Sequence, residues 1–204
     1  MPRFLLAFAV LLAAAGLAVA QTPPQPAAGQ AVATFAGGCF WCTEADFDKL
    51  KGVVATTSGY IGGKVPNPSY ERVSAGGTGY AEAVEVIYDP QQVSYAQLLA
   101  FYWRTVDPTV KDRQFCDRGD QYRTAIFVRN AEERKLAEAS KEKVAAELKQ
   151  PIYTQIVDAT PFYTAEDYHQ DFYKKNPTKY KFYRWNCGRD QRLEQLWGKP
   201  KGES

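Results

Sequence analysis

The apolar positions of this chain fall into one long block and a series of short ones. Residues 4–20 carry no charged or polar side chain, Arg3 precedes them, and Ala18 and Ala20 stand just before Gln21. That is the layout of a cleaved export signal, 1–20, because the 17 apolar residues fall short of the roughly 20 that a spanning helix uses. No later segment is apolar and long enough to cross a membrane. Residues 21–30 are rich in Pro, Gln and Ala and read as a disordered leader. The globular part follows at 31–198, with a flexible tail at 199–204.

Within it, Ala31 to Ala36 reads as a strand that Gly37 and Gly38 break. Phe40 to Leu50 spaces Phe40, Phe47 and Leu50 against Glu44, Asp46 and Asp48, which predicts a helix ended by Gly52. Residues 53–57 are β-branched enough for a second strand. The Gly-rich stretch 58–79 predicts a long irregular loop. Ala83 to Tyr88 alternates as a strand does. Ser94, with Gln97 three residues on, predicts a capping box for a helix through Trp103. A polar loop at 107–120 leads to a strand at 122–128. Asn130 caps a long helix rich in Ala, Glu and Lys to about Lys149. Pro151 stops it before a strand at 152–157. Thr164 predicts a helix through Phe172 or Tyr173, and the remainder to Trp197 is basic and aromatic. Strands alternating with helices imply an α/β or α+β domain with one sheet covered by helices. The length suits a single core.

Charge adds little. Of the 25 basic residues one, Arg3, lies in the signal, which leaves 24 against 23 acidic ones. There is no basic block for nucleic acid. The cysteines say more. All four, Cys39, Cys42, Cys116 and Cys187, lie in the exported part, where disulfides are permitted. Two structural bridges with three possible connectivities are therefore one reading. They do not form the close pairs that signal a zinc site, so no metal or other cofactor is expected.

Gly37-Gly-Cys-Phe-Trp-Cys-Thr-Glu44 is the most informative stretch. A cysteine at a helix start meets free N–H groups and a partial positive charge, which favour a thiolate below the usual thiol value. Phe40 and Trp41 offer apolar walls beside it. A buried helix-start cysteine among core aromatics fits the octet equally well. His169 is the only histidine and reads as a structural hydrogen-bonding residue.

Further stretches decide between these readings. Gly38-Cys-Phe-Trp41 with Glu44, Ser58-Gly-Tyr-Ile-Gly-Gly63, Pro66-Asn-Pro-Ser-Tyr70, Thr78-Gly-Tyr-Ala-Glu82-Ala-Val84, Asp117-Arg-Gly-Asp-Gln-Tyr122-Arg123, Thr160-Pro-Phe-Tyr163, Ala165 to Gln170 and Lys175-Asn-Pro177 occur in that order. Together they resemble the A-type peptide methionine sulfoxide reductases over about residues 32–197. The chain departs from that pattern at Cys42, Tyr80, Cys116 and Asn186-Cys187-Gly188.

The resemblance implies an α+β fold: a two-layer sandwich with a ferredoxin-like mixed sheet, long active-site loops and a coiled C-terminal segment. It implies reduction of the S-epimer of methionine sulfoxide. Cys39 would be the nucleophile and pass through a sulfenic acid. Glu82 would be the acid that protonates the sulfoxide oxygen; without the resemblance, a surface Glu on an alternating strand would be the better reading. Tyr70 and Tyr122 would hydrogen-bond that oxygen. Phe40 and Trp41 would enclose the methyl group, and Asp117 would help hold the substrate.

Cys187 would form the recycling disulfide, with Arg184 and Arg189 favouring its thiolate in a flexible Asn-Cys-Gly context. A thioredoxin-like dithiol would reduce that disulfide. Cys42, one helical turn from Cys39, either resolves the sulfenic acid or pairs with Cys116. A thiol–disulfide oxidoreductase using Cys39 and Cys42 is the alternative function, and an exported binding module held by two disulfides is a third reading. The mature protein is expected to be a periplasmic monomer with no nucleic-acid or membrane contact.

Overall fold

The computed structural model describes residues 24–199, so the expected signal at 1–20 and the tail beyond Lys199 lie outside the described residues. Residues 24–30 of the leader are exposed or half-buried and carry a turn closed by the Gln30 N–H on the Ala27 carbonyl at 3.0 Å.

Strand β1 (Ala31–Gly37), helix α1 (Phe40–Phe47), β2 (Val53–Ile61), β3 (Ala81–Tyr88), helix α3 (Tyr95–Thr105) and β6 (Thr124–Val128) follow one another as β-α-β-β-α-β. The short helix α2 (Tyr70–Ser74) lies between β2 and β3. The hairpin β4 (Arg113–Gln114) and β5 (Asp117–Arg118), then a single 3-10 turn at Asp120–Tyr122, lie between α3 and β6. In the sheet the four main strands run β6-β1-β3-β2, each antiparallel to its neighbour. This is the ferredoxin-like arrangement expected. Helix α4 (Ala131–Leu148) carries the chain back to β7 (Gln155–Asp158), which adds parallel to β6. The two-residue β8 (Tyr163–Thr164) closes the other edge against Gly59 and Tyr60 of β2.

The larger core lies between the sheet and α1, α3 and α4. Phe35 stacks on Phe47 at 5.0 Å and on Tyr102 at 5.1 Å, and Leu98, Trp103, Ile126 and Val144 fill in around them. Burying side chains of this size contributes roughly 1.5–3 kcal/mol each. The opposite face carries Ile61, Ala81, Ala83 and Phe127 beneath Phe162. The two caps read from sequence are present: Ser94 and Gln97 exchange both bonds of a capping box, and Asn130 accepts from the Glu133 N–H at 2.9 Å.

Three expectations need correction. Residues 58–61 of the predicted loop continue β2, because their partners Ala81 to Val84 on β3 need a covering strand. No helix begins at Thr164. That residue pairs in β8, and the helix is delayed to α5 (Phe172–Lys175) because Glu166, His169 and Gln170 commit their side chains to tertiary partners. The C-terminal segment is helical rather than coiled: α6 (Pro177–Asn186) starts with a proline at its first position, and α7 (Arg189–Trp197) follows a left-handed turn at Gly188. Among the described residues no helix is long and apolar enough to cross a membrane.

Candidate active site

The site forms where β1 runs into α1. Gly38 has φ +83, which favours glycine, and a Cβ there would lie 2.5 Å from the Gln114 Cβ. Gln114 is fixed in turn by bonds to the Asp107 N–H and carbonyl. Cys39 is thereby delivered as the N-cap of α1 and is 6 % exposed.

Glu82 enters from β3, opposite Tyr60 of β2, and is 2 % exposed. Its Oε2 accepts the Phe40 N–H at 3.0 Å. Burial pushes its carboxyl up to about 8, helped by the charges of Asp117 and Cys42 and opposed by the Phe40 amide. A strand buried on both faces has no solvent side, so the alternation that suggested a surface position does not apply here. Glu44 on α1 is likewise raised to about 8 by burial; it accepts from the Asp171 N–H at 3.0 Å and ties α1 to the segment before α5.

The cysteines depart from expectation. The Cys39 thiol is pushed well above its ordinary value, first by burial, then by its hydrogen bond with Cys42 and by the charges of Cys42, Glu82 and Asp117. The first free amide of α1 is taken by Glu82, so little of the helix terminus remains for the sulfur. Cys42, also buried, shifts the other way. The hydrogen bond from Cys39 favours its thiolate, with Arg189 and Arg184 adding to it.

Of the two roles read for Cys42, the pairing with Cys116 is not formed. Cys116 on the exposed loop is bonded to Cys187, while Cys39 and Cys42 are free thiols. Cys42 is turned into a small core with Ala45, Phe172 and Tyr180. A module held by two disulfides is therefore excluded for this state. The Asn186-Cys187-Gly188 context is the ordered turn between α6 and α7, not a flexible tail. Nor do the two arginines serve Cys187. Arg184 binds Asp46 and Asp190, and Arg189, 2 % exposed, donates to the carbonyls of Gly37 and Thr105 and lies 4.5 Å over the Phe115 ring.

The remaining predicted residues converge. Tyr70 and Tyr122 lie close enough to Cys39, Glu82 and Asp117 to feel their charges. Burial is the main reason that Tyr70 is pushed up to about 12 and Tyr122 is raised too, so both stay hydroxyl donors. Glu166 places Tyr70 by accepting its N–H at 2.8 Å, and it also accepts from the Tyr60 hydroxyl. Phe40 is wholly buried, packing near Tyr60 and His169.

Trp41 is half-buried, stacked on Phe172 at 3.7 Å. Its ring is oriented by donating Nε1–H to His169 Nδ1 at 2.9 Å. Burial holds His169 down at about 4, so it is neutral and acts as an acceptor. Tyr80 closes the Gly-rich loop: its hydroxyl donates to the Val65 carbonyl, and its ring lies against Gly63 so closely that a Cβ there would clash.

Sequence reasoning missed Tyr183 on α6. Its hydroxyl donates to Asp117 Oδ2 at 2.5 Å, its titration is influenced by the nearby Cys39 thiol, and its ring meets the Trp41 face edge-on. The available signal was its place one helical turn before Cys187, whose N–H it accepts. Asp117 is raised by burial, against the pull of Tyr183 and Arg189. Cys116, Asp117 and Cys187 offer three ligand atoms within 4.8 Å of one another, but both sulfurs are occupied in the disulfide.

The arrangement joins an attacking sulfur, a neutral buried acid, two hydroxyl donors and an apolar wall. It suits transfer of an oxygen from a neutral, polar S=O group to sulfur. A thiol–disulfide oxidoreductase acting directly through Cys39 would need that sulfur exposed and its thiolate favoured, and neither holds.

Comparison with known proteins agrees. The family described as Peptide methionine sulfoxide reductase matches residues 31–201. A peptide methionine sulfoxide reductase MsrA of Ligilactobacillus salivarius is 53 % identical over 167 residues, covering 81 % of this chain and 96 % of the relative. MsrA 2 of Caulobacter vibrioides is 47 % identical over 199 residues, 97 % of this chain and all of the relative. Among solved structures, reduced Mxr1 of Saccharomyces cerevisiae superposes with a TM-score of 0.71 at 34 % identity, over 74 % of this chain and 88 % of Mxr1. Methionine sulfoxide reductase A of Corynebacterium diphtheriae gives 0.67 at 36 %, over 74 % and 77 %. On the strength of this match across nearly the whole described fold, the chain belongs to the peptide methionine sulfoxide reductase family.

Proposed function

We propose that this enzyme reduces methionine sulfoxide, free and in peptides or proteins, through Cys39. The observation that carries the reading is the buried Glu82 carboxyl, kept neutral within reach of the first turn of α1 where Cys39 sits. A sulfoxide oxygen leaves only when protonated, and a carboxyl held at about 8 still carries its proton at pH 7. The sulfoxide oxygen takes hydrogen bonds from Tyr70 and Tyr122, and its methyl group lies against Trp41, with Phe40 packed behind. Asp117, fixed by Tyr183, holds the rest of the substrate. Cys39 attacks sulfur, Glu82 supplies the proton, methionine leaves, and Cys39 keeps the oxygen as a sulfenic acid. In atoms, thiol plus sulfoxide becomes sulfenic acid plus thioether. The resemblance to A-type enzymes supports the S-epimer.

A second thiol condenses with the sulfenic acid, releasing water, and a thioredoxin-like dithiol reduces the resulting disulfide. Cys187 is the recycling cysteine by its place in the C-terminal segment, and its bond to the exposed Cys116 supports that reading. The role is repair of oxidised proteins by a monomer. Export to the periplasm rests on the apolar run 4–20 behind Arg3; cell fractionation tests it, and finding the protein in the cytoplasm would sink it.

The experiment is turnover of a methionine sulfoxide peptide with dithiothreitol as reductant. Wild type is expected to produce methionine, and Cys39→Ser none. Undiminished turnover by Cys39→Ser would remove the proposal.

A further inference from the structure

Two dithiol pairs with opposite redox states lie in one site. The inner pair, Cys39 and Cys42, is free; the outer pair, Cys116 and Cys187, is joined. We propose that Cys42 is the resolving thiol: it attacks the Cys39 sulfenic acid within the first turn of α1, and the oxidation then passes outward to Cys187 and Cys116. This deepens the reductase reading and rests on it.

The geometry places the two inner sulfurs together. Cys39 is the N-cap of α1, and the Cys42 N–H bonds back to the Cys39 carbonyl at 3.1 Å. Residues three apart on a helix share a face, and here the two thiols are close enough to shift each other's titration. Cys42 is 2 % exposed, enclosed by Phe172 and Tyr180, so its chemistry is confined to the neighbouring sulfur. Its surroundings suit an attacker: Arg184 and Arg189 favour its thiolate, although burial opposes it. Cys187, by contrast, is blocked as a nucleophile whenever it is bonded to Cys116, as it is here. Cys42 is free to attack in that state.

The steps balance. Cys39 sulfenic acid plus Cys42 thiol gives the Cys39–Cys42 disulfide and water. With the outer pair reduced, the Cys187 thiolate attacks Cys39 and releases Cys42. The Cys116 thiolate then attacks Cys187, forming the Cys116–Cys187 bond and releasing Cys39. The path is short, because Tyr183, close enough to Cys39 for the two to affect each other's titration, lies one turn before Cys187. It ends at the exposed Cys116, where an external dithiol has access.

The test uses the protein with Cys116–Cys187 oxidised and Cys39 and Cys42 free, given excess methionine sulfoxide peptide, a diketone sulfenic-acid trap and no reductant. The expected result is one methionine per chain, loss of both alkylatable thiols, a Cys39–Cys42 disulfide in the peptide map, and no trapped adduct. Cys42→Ser under the same conditions is expected to accumulate the Cys39 adduct for whatever methionine it releases. Cys42→Ala repeats that arm with a residue that packs as a small apolar side chain. A wild-type Cys39 adduct with Cys42 still alkylatable would overturn the proposal. So would either Cys42 variant behaving as wild type. No methionine in any arm would instead overturn the reductase reading.

Discussion

If Glu82 is the acid proposed above, it sets the pH behaviour of the site. A carboxylate on a strand ordinarily meets water or a cation. This one has no ion-pair partner among the described residues, and the bond that holds it comes from the Phe40 amide. Desolvation therefore wins over that favourable bond, and the proton stays on up to about pH 8. The acid is present below that value and lost above it. The rate of single-turnover methionine release is expected to fall as pH rises through about 8. Glu82→Gln keeps the shape and the Phe40 bond but cannot give a proton. It is expected to lower the rate by about 10²–10⁴-fold and to remove that alkaline limb. A Glu82→Gln enzyme that retains the limb would assign it to another group.

At the scale of elements, the site depends on α7 holding the β1–α1 corner. The fork of Arg189 binds the Gly37 and Thr105 carbonyls from a fully buried position and covers the Phe115 ring beside Cys116. Arg189→Met fills the volume but removes the guanidinium from both carbonyls. It is expected to cost about 2–4 kcal/mol, read as a lower urea midpoint with unchanged slope. Arg189→Lys is expected to recover little, because a point charge does not reproduce the planar fork. The sequence showed α3, α4 and most of the four main strands, since caps and β-branched runs are local signals, but it cut β2 short at Thr57. It brought Cys39, Glu82, Tyr70, Tyr122 and Asp117 together only through the family resemblance. The direction of the Cys39 shift, the contact of Tyr183 and the pairing of Cys116 with Cys187 were not legible. Each depends on what α6 and α7 pack against, and their aromatic and basic pattern names no partner.

At the scale of the molecule, buried thiols and an exposed bridge divide the labour. On the proposed route, chemistry on the substrate belongs where Trp41, Tyr70 and Tyr122 limit water, and exchange with a partner belongs at the surface, at the exposed Cys116. The Cys116–Cys187 bond also closes a ring across 71 positions that contains β6, α4, β7, β8, α5 and α6. Opening so large a ring releases the unfolded chain and is expected to remove about 4 kcal/mol of stability. For a domain of this size that corresponds to a melting temperature lower by about 10 °C. Scanning calorimetry with and without a mild reductant measures it, and a Cys116→Ser/Cys187→Ser variant should not respond. If the ring opens and closes with each round of repair, the enzyme is most robust while loaded with oxidising equivalents and most fragile just after a partner has discharged it. Its heat resistance then becomes a gauge of how well reducing power keeps pace with damage.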